Sequence, residues 1–350
     1  MKKFLYIVFI LIFSVGCSAE NKEMKKYELS LFDAFDTYTV FTVYEDSEEK
    51  AQEDLDKIKD KYEYYHKIFD GFNNYEGLNN LKTINDNAGV KSVVVDEELY
   101  NLIDLTLKLS EKTDKLNIAI GPVTELWSSY RDLYNEGKSP EEVRRIMGAE
   151  IPSDEDLEAL RGLINQDDIL LNEEEKSVFL KKRGMKIDLG SVAKGYATER
   201  VAEFARDELG IESLVISAGG NVRFIGKPPD REKYKVAIAH PEEGQDYLAV
   251  LEVDDTSVVT SGNYQRFFMY NGKRYSHIID PFTLRPSENY RSMSVITEDS
   301  FIADFLSTVL FLTEEKDLED VMNEFEVGAL WMNNDGAIHS TQKAGELMED

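Results

Sequence analysis

The sequence predicts an α+β fold. Its 350 residues are 42% hydrophobic and 11% aromatic, enough apolar material to bury a large core as one big domain or two small ones. Segments with the alternation of strands are mixed with helical segments along the chain. Because no internal repeat, low-complexity tract or obvious linker separates these segments, we expect them to pack together.

The first half of the chain contains clear strand and helix patterns. The segment TYTVFTVYE at 37–45 alternates polar and apolar residues, which predicts a half-buried strand. Residues 47–68 follow a helical pattern, and the Asn- and Gly-rich segment 70–89 predicts a loop with short helical turns. A further helix is expected over roughly 97–112. Gly121-Pro122 is then expected to interrupt the pattern.

Charged helical sequence follows over 138–165. Ser139 can cap this region, and Pro140 can occupy the first helical position. Strands are predicted at 168–171 and 177–187, on either side of the turn NEEEK. The mixture of strands and helices therefore continues without a domain boundary.

The N-terminus has the pattern of an export signal. Lys2 and Lys3 precede an apolar run from Phe4 to Phe13, and the segment ends in SVGC. This run is too short to cross a bilayer as a mature helix, but it suits a signal peptide.

Cys17 is the only cysteine in the chain, so no intramolecular disulfide can form. Its place after Gly16 resembles a bacterial lipobox, although Ser14 stands where a leucine is usual. The alternative is an uncleaved anchor with an incidental cysteine. We expect an extracytoplasmic protein that is lipid-anchored to the cell membrane, with a lipoprotein signal peptide at 1–16, a polar tether at 17–30 after the lipidated Cys17, and a folded domain at 31–345.

The overall charge argues against a nucleic-acid partner. The formal net charge is −28, from 40 basic and 68 acidic residues, and a phosphate backbone would be repelled. Simple solubility explains the excess of acidic residues.

The stretch IDLGSVAKGYATERVAEFARDELG, residues 187–210, predicts a closely packed helix start. Gly190 and Gly195 allow close approach of another backbone, and Lys194 adds positive charge to the anion-binding end of the helix. The glycine spacing matches a Walker loop, but Tyr196 occupies the lysine position, so a phosphate site is a weak prediction from spacing alone. Small residues recur every four positions on one face of this helix, at Ala193, Ala197, Val201 and Ala205.

The apolar segment SFIADFLSTVLFL, residues 300–312, contains an unexpected carboxylate. Asp304 interrupts a helix that should be mostly buried, where a carboxylate is costly unless it is paired or binds a metal. Thr308 lies one turn later on the same face. Carboxylate, hydroxyl and carbonyl oxygens suit Mg²⁺ or Ca²⁺. The alternative is that Asp304 is a local cap or an ion-pair partner.

A third group of residues lies in RYSHIIDPFTLRP. His277 follows a predicted strand at the entry of a loop, a suitable position for a general base, and Asp280 follows it before Pro281. An isolated histidine is more often structural, but here other polar motifs accompany it.

Together these segments resemble the FAD:protein FMN transferases, the ApbE-type flavin transferases. The resemblance covers nearly all of the chain after the signal, with the motifs in one order, and it implies a single large domain of mixed, T-fold-related sheets packed with helices as interlocked subdomains. The matching segments are FDT (35–37), LNNLKTIN (78–85), IAIGPV (118–123), IDLGSVAKGYA (187–197), SAGGN (217–221), TSGNYQR (260–266), HIIDPFT (277–283) and ADFLST (303–308).

The resemblance also implies roles for individual residues. His277 matches the catalytic base, and Mg²⁺ is the implied metal, with Ca²⁺ or Mn²⁺ as alternatives. The implied metal ligands are the backbone carbonyl of Ser191 with Asp304 and Thr308. The implied contacts to FAD are Phe35, Tyr75, Lys115, Leu116, Asn117, Asp188, Lys194 and Met293.

The implied reaction transfers FMN from FAD to a threonine hydroxyl of an acceptor protein, a membrane redox subunit or an exported flavoprotein, and releases AMP. An FAD pyrophosphatase, in which water replaces threonine, and a non-catalytic lipid-anchored flavin-binding protein are the alternatives. Three departures from the family pattern affect flavin contacts: Asn117 and Asn221 stand where aspartate is common, and Leu284 replaces a usual glycine.

Overall fold

The computed structural model describes residues 23–242 and 244–349. The expected signal peptide and Cys17 lie outside the described residues. Among the helices of the described part, none is both long and apolar enough to cross a membrane.

An eight-stranded antiparallel sheet forms the centre of the domain. Its strand order is β1-β2-β6-β7-β10-β13-β14-β15, so the two ends of the described chain lie at opposite edges. These strands are β1 (Lys25–Ala34), β2 (Thr37–Glu45), β6 (Ser213–Ala218), β7 (Asn221–Gly226), β10 (Ser257–Gly262), β13 (Tyr290–Thr297), β14 (Gly328–Asn333) and β15 (Ile338–Ser340).

Smaller sheets accompany the main sheet. A three-stranded sheet has the order β3-β5-β4, and two hairpins pair β8 with β9 and β11 with β12. Their bounds are β3 (Val93–Val94), β4 (Ile169–Asn172), β5 (Ser177–Leu180), β8 (Tyr234–Ala239), β9 (Tyr247–Val253), β11 (Phe267–Tyr270) and β12 (Lys273–Ser276).

Ten α-helices occur within the described residues. Three of them, α1, α7 and α8, pack on the main sheet and share its largest apolar core. The helices are α1 (Glu48–Phe69), α2 (Leu81–Asp86), α3 (Glu97–Ser110), α4 (Gly121–Asn135), α5 (Pro140–Met147), α6 (Asp154–Leu160), α7 (Ala193–Asp207), α8 (Ser300–Leu312), α9 (Leu318–Glu324) and α10 (Gln342–Gly345).

Two further apolar clusters complete the core. One joins the main sheet to the β8–β9 hairpin and α10. The other lies between α4, α5, α6 and the β11–β12 hairpin, with Trp127, Tyr130 and Phe268 buried at its centre. The second cluster matters for the site because it holds the hairpin that leads directly to His277.

Several local predictions are confirmed. Strand 37–45 is β2, and the helix predicted over 47–68 is α1, capped by Ser47. Ser139 accepts a hydrogen bond from Glu142 N in a capping box, as its position before Pro140 suggested. The apolar segment 300–312 is α8 over its whole length.

The chain is ordered beyond both ends of the predicted domain. Residues 25–30 belong to β1 rather than to a tether, because Tyr27 and Leu29 alternate with polar residues and pack against the core. At the other end, Met348 bridges to Leu251, which carries the packed domain past residue 345.

Three predicted boundaries in the middle of the chain are wrong. Gly121-Pro122 begins α4 instead of interrupting structure, since proline suits the first turn of a helix. The helical region 138–165 is divided after α5 by Gly148, whose φ of 92° is left-handed. The strand expected over 177–187 ends at Leu180, because a turn with Gly184 at φ 90° follows it.

Candidate active site

Helices α7 and α8 approach closely at Gly195. A Cβ atom added there would lie 2.4 Å from the Cβ of Asp304 and 2.5 Å from the carbonyl oxygen of Ser300. Any side chain at this position would force the two helices apart. The predicted close approach at the start of α7 is therefore present, and the element that approaches is α8.

Asp304 joins the start of α7 through both of its carboxylate oxygens. The Gly195 amide donates to Oδ2 at 2.7 Å, and the Lys194 ammonium donates to Oδ1 at 3.3 Å. Burial raises the pKa of this carboxyl, while Lys194 and the Gly195 amide act in the opposite direction. Asp304 is thus an ion-pair partner of Lys194, and it caps the start of α7 instead of acting as a local cap in its own helix.

Polar side chains surround the carboxylate. Ser300 Oγ donates to Asn221 Oδ1 at 2.8 Å, and both residues are fully buried. The Asn221 amide nitrogen favours the ionised form of Asp304, yet it has no well-formed hydrogen bond of its own among the described residues. A buried donor left unpaired marks a place where a further oxygen atom would fit.

The donor types at this point suit a hard cation. Asp304 supplies a carboxylate, Thr308 a half-buried hydroxyl one turn later, and Ser191 lies in the turn that leads into α7. Among the described residues there is no group of three or more His, Cys, Asp or Glu that could hold a metal. An all-oxygen set with a single carboxylate fits Mg²⁺, which usually keeps several positions for water and substrate oxygens.

Asp188 stabilises the same turn from the other side. Its Oδ2 accepts from Thr124 Oγ1 at 2.6 Å, and its Oδ1 accepts from the Gly190 amide at 2.8 Å. The carboxylate therefore ties α4 to the loop before α7. The contact between Asp188 and FAD stays a prediction.

His277 is held in a single orientation by one backbone carbonyl. The Arg266 oxygen accepts from the His277 amide at 3.0 Å and lies 3.1 Å from Nδ1. Because a carbonyl oxygen can only accept, Nδ1 carries the proton and Nε2 is left with a free lone pair. Burial, together with the positive charges of Arg266 and Arg131, lowers the pKa of His277 to about 4. The imidazole is therefore neutral near pH 7.

Arg266 also reaches the β1–β2 turn. Its Nη2 donates to the Asp36 carbonyl at 3.1 Å. Phe35 and Asp36, at φ 54° and 51°, form the two-residue left-handed turn of this hairpin. The Phe35 ring packs edge-on against Tyr62 and His66. Phe35 thus lies in the turn that Arg266 contacts, and its contact with FAD stays a prediction.

A second turn links the His277 region to the Asp304 region. Gly219 and Gly220 both have positive φ, and a Cβ added at Gly219 would overlap Thr37 Oγ1. A Cβ at Gly220 would lie 3.2 Å from Gln265, the residue before Arg266. The next residue is Asn221, beside Asp304. The two predicted halves of the site are therefore connected by direct contacts.

Asp280 orders its own loop rather than His277. Its Oδ1 accepts from the amides of Phe282 and Thr283 at 2.7 and 3.0 Å. Leu284 closes this loop at φ 56°, which explains why glycine would be favoured there. The buried leucine side chain and a 2.8 Å hydrogen bond from Trp127 Nε1 to the Leu284 carbonyl hold the strained conformation.

Tyr75 lies in a loop that is ordered by its own contacts. Its hydroxyl donates to Asp70 at 2.8 Å, and burial and this carboxylate raise the pKa of Tyr75 to about 12. Its contact with FAD stays a prediction.

The other predicted flavin residues lie on several elements, and their FAD contacts also stay predictions. The Asn117 amide bridges the Ile164 carbonyl and the Ala119 amide. Lys115 lies over the ring of Phe282, whereas Leu116 and Met293 are buried in the core, Met293 fully.

Several residues that organise the site have no role that the sequence alone indicates. Arg266 lies in the motif TSGNYQR, but the motif does not show which groups this side chain contacts. Glu199 and Arg223 form a buried pair with N–O distances of 3.0 and 3.3 Å, and Thr124 contacts Asp188 across the chain. Because the partners in each pair lie far apart along the chain, no local sequence pattern indicates these contacts.

Comparisons with known proteins identify the family of the chain. The ApbE family model matches residues 35–331. The FAD:protein FMN transferase of Klebsiella pneumoniae (strain 342) is 31% identical over 290 residues, which cover 79% of this chain and 85% of that protein. The transferase of the same name from Treponema pallidum (strain Nichols) is 30% identical over 281 residues, covering 75% and 72% respectively.

Solved structures give the same result for the fold. The ApbE protein of Thermotoga maritima superposes with a TM-score of 0.78 at 29% identity, covering 93% of this chain and all of that one. The flavin transferase ApbE of Vibrio cholerae has a TM-score of 0.74 at 20% identity, covering 93% and 99%. The architecture is therefore that of the ApbE-type flavin transferases. Because the family model spans most of its length, the chain belongs to the ApbE family.

The pKa of His277 gives a prediction about stability. In the folded chain this pKa lies near 4, below the ordinary 6.5, so the unfolded chain binds more protons between these values. The contribution of His277 to the free energy of unfolding should be fully present at pH values above 6.5, and it should fall as the pH drops towards 4. Denaturant unfolding at about pH 5 and about pH 7 should show a larger difference for the wild type than for His277→Gln. Equal pH dependence in the two proteins would contradict the lowered pKa.

Proposed function

We propose that this chain transfers the FMN part of FAD to a threonine hydroxyl of an acceptor protein and releases AMP, with Mg²⁺ as the metal. The observation that carries the proposal is the orientation of His277, whose Nδ1–H is bound to the Arg266 carbonyl, so that Nε2 is the unprotonated nitrogen. A neutral, fixed imidazole is what a general base requires. Membership of the ApbE family agrees with this chemistry.

In this reaction His277 accepts the proton of the attacking hydroxyl. The threonine oxygen forms a bond to the FMN phosphorus as the bond between this phosphorus and the AMP oxygen breaks. The proton of the hydroxyl moves to Nε2, while the Arg266 carbonyl holds the forming imidazolium at Nδ1. Burial disfavours that charged form, so the ring should readily release the proton after transfer.

The metal would be held by the Ser191 carbonyl, Asp304 and Thr308. When bound, Mg²⁺ would neutralise charge on the pyrophosphate. Lys194 already contacts Asp304 Oδ1 and adds a second positive charge at the start of α7, where helix amides also favour anions. We therefore propose that the pyrophosphate of FAD binds at this helix end.

We expect His277→Ala to retain FAD binding and to lose transfer by ~10²–10⁴-fold, because the base acts on the acceptor hydroxyl and not on the bound flavin. The acceptor mass after incubation with FAD and Mg²⁺ measures transfer, and flavin fluorescence measures binding. His240→Ala, in a separate loop, is the matched control and should behave as wild type. Equal losses of FAD affinity and of transfer in His277→Ala would make His277 a binding residue. FMN released without labelling of any acceptor would instead indicate a pyrophosphatase.

Asp304→Asn should weaken binding of Mn²⁺, used as a paramagnetic substitute for Mg²⁺, by about tenfold or more, since the only carboxylate among the proposed ligands is removed. Asparagine keeps an oxygen acceptor for the Gly195 amide, so the fold should survive, as circular dichroism can verify. Electron paramagnetic resonance in the presence of FAD reports the affinity without requiring turnover. Ser191→Ala is the control and should be silent, because only its carbonyl is proposed to bind. Unchanged affinity in Asp304→Asn would remove Asp304 from the metal site.

We also propose that Cys17 carries a lipid that holds the domain at the outer side of the cell membrane. The support is the charged and apolar leader that ends in SVGC. The Cys17→Ala chain should fail to incorporate radiolabelled palmitate and should appear in the soluble fraction of the expressing bacterium. Retention of the label by Cys17→Ala would contradict this location of the lipid.

A further inference from the structure

A hollow of about 510 Å³ lies beside the His277 loop. It opens between α4 and β11, and its lining includes Arg131 and Asn135 from α4 and Arg266 and Met269 from the other side. The carbonyl of Arg266 is the same one that holds His277. The hollow therefore shares Arg266 with the contacts that hold the proposed base.

The charged groups that line the hollow are mostly positive. Among the described residues that line it, Asp36 is the only acidic one, against the two arginines. Arg266 uses its Nη2 on the carbonyls of the β1–β2 turn, and among the described residues it forms no ion pair with a carboxylate. Within the described residues the one ion pair of Arg131 is with its neighbour Asp132, whose side chain is 63% exposed, and such surface pairs are weak. In a chain with a net charge of −28, this is a local site for an acidic group.

The wall formed by β11 adds an apolar contact and a free strand edge. Phe268 points inward and stacks on Tyr134, whereas the next side chain, Met269, is 49% exposed. Within the described residues β11 pairs only with β12, so its other edge can still form backbone hydrogen bonds. An extended peptide can use such an edge together with a neighbouring side-chain pocket.

We propose that this hollow binds an extended segment of the acceptor protein, in which an acidic side chain close to the target threonine contacts Arg131 and Arg266. This inference rests on the proposed transfer to a protein hydroxyl. The apolar part of the segment packs on Met269, and its threonine is thereby presented to His277. The hollow thus selects acceptors by local charge, despite the long-range repulsion between two acidic proteins.

The test uses a fluorescently labelled synthetic peptide with one threonine flanked by aspartates, and a second peptide with asparagines in their place. Arg131→Gln and Met269→Ser should each raise the Kd and the KM for the aspartate peptide, Arg131→Gln by about tenfold, with FAD affinity unchanged. The asparagine peptide should bind the wild type about as weakly as the aspartate peptide binds Arg131→Gln. Arg145→Gln, with a side chain 76% exposed on α5, removes the same charge elsewhere and should have no effect.

Different results would overturn different statements. Wild-type peptide affinity in both Arg131→Gln and Met269→Ser would overturn the docking proposal. A loss of FAD affinity in Arg131→Gln that equals its loss of peptide affinity would also overturn it and would place FAD in the hollow. Peptide binding that depends on Arg131 but leads to no FMN transfer would support the docking surface and contradict the proposed reaction.

Discussion

The geometry of the site depends on two carboxylates, one on each of two neighbouring helices. Each carboxylate accepts a hydrogen bond from an amide at the N-terminus of the other helix. Asp304 from α8 accepts the Gly195 amide at the start of α7, and Glu199 from α7 accepts the Ser300 amide at the start of α8 at 2.7 Å. Each carboxylate satisfies an amide that its partner helix cannot bond internally, and each lies at the positive end of that helix. Because Gly195 has no side chain, α7 and α8 can lie close enough for both hydrogen bonds to form.

This arrangement carries a cost in buried charge. Burial raises the pKa of Glu199, and the Arg223 guanidinium opposes that effect through two hydrogen bonds. Buried ion pairs add little net stability, but removing one partner leaves an unpaired charge, so they strongly fix geometry. Asp304 has a weaker cationic contact at 3.3 Å, to Lys194. Of the two carboxylates, Asp304 therefore has the weaker cationic partner, and its Oδ1 is the more readily shared with another ligand.

The proposed base is organised on a different principle. His277 has a backbone carbonyl at Nδ1 where many catalytic histidines have a carboxylate, and Asp280 is engaged in its own loop. A carbonyl fixes the tautomer without adding negative charge, so nothing strong offsets burial and the nearby arginines, and the pKa falls. The ring is a weak base that is always available near neutral pH. Such a base suits a reaction in which the leaving group and the metal carry most of the charge.

The sequence by itself determined the elements whose residues interact locally. The alternation in β2, the capping box at Ser139, the apolar helix α8 and the unusual Asp304 within it could all be read from short segments, because period and neighbouring residues decide them. The resemblance to flavin transferases could be read for the same reason, since its motifs are contiguous. The strand over residues 25–30 shows that even a local alternation can be mistaken for a polar tether.

Only the tertiary structure decided what each charged group contacts. Asp304 reaches the start of α7 from 109 residues away, Thr124 reaches Asp188 across 64, and the turn at Phe35 meets Arg266 across 231. Such pairs leave no periodicity in the sequence, because packing of whole helices and strands creates them and their residue types alone fit many partners. The sequence thus predicted which chemical groups belong to the candidate site. The packing of α7 on α8, and of the β1–β2 turn against Arg266, decided how those groups are paired.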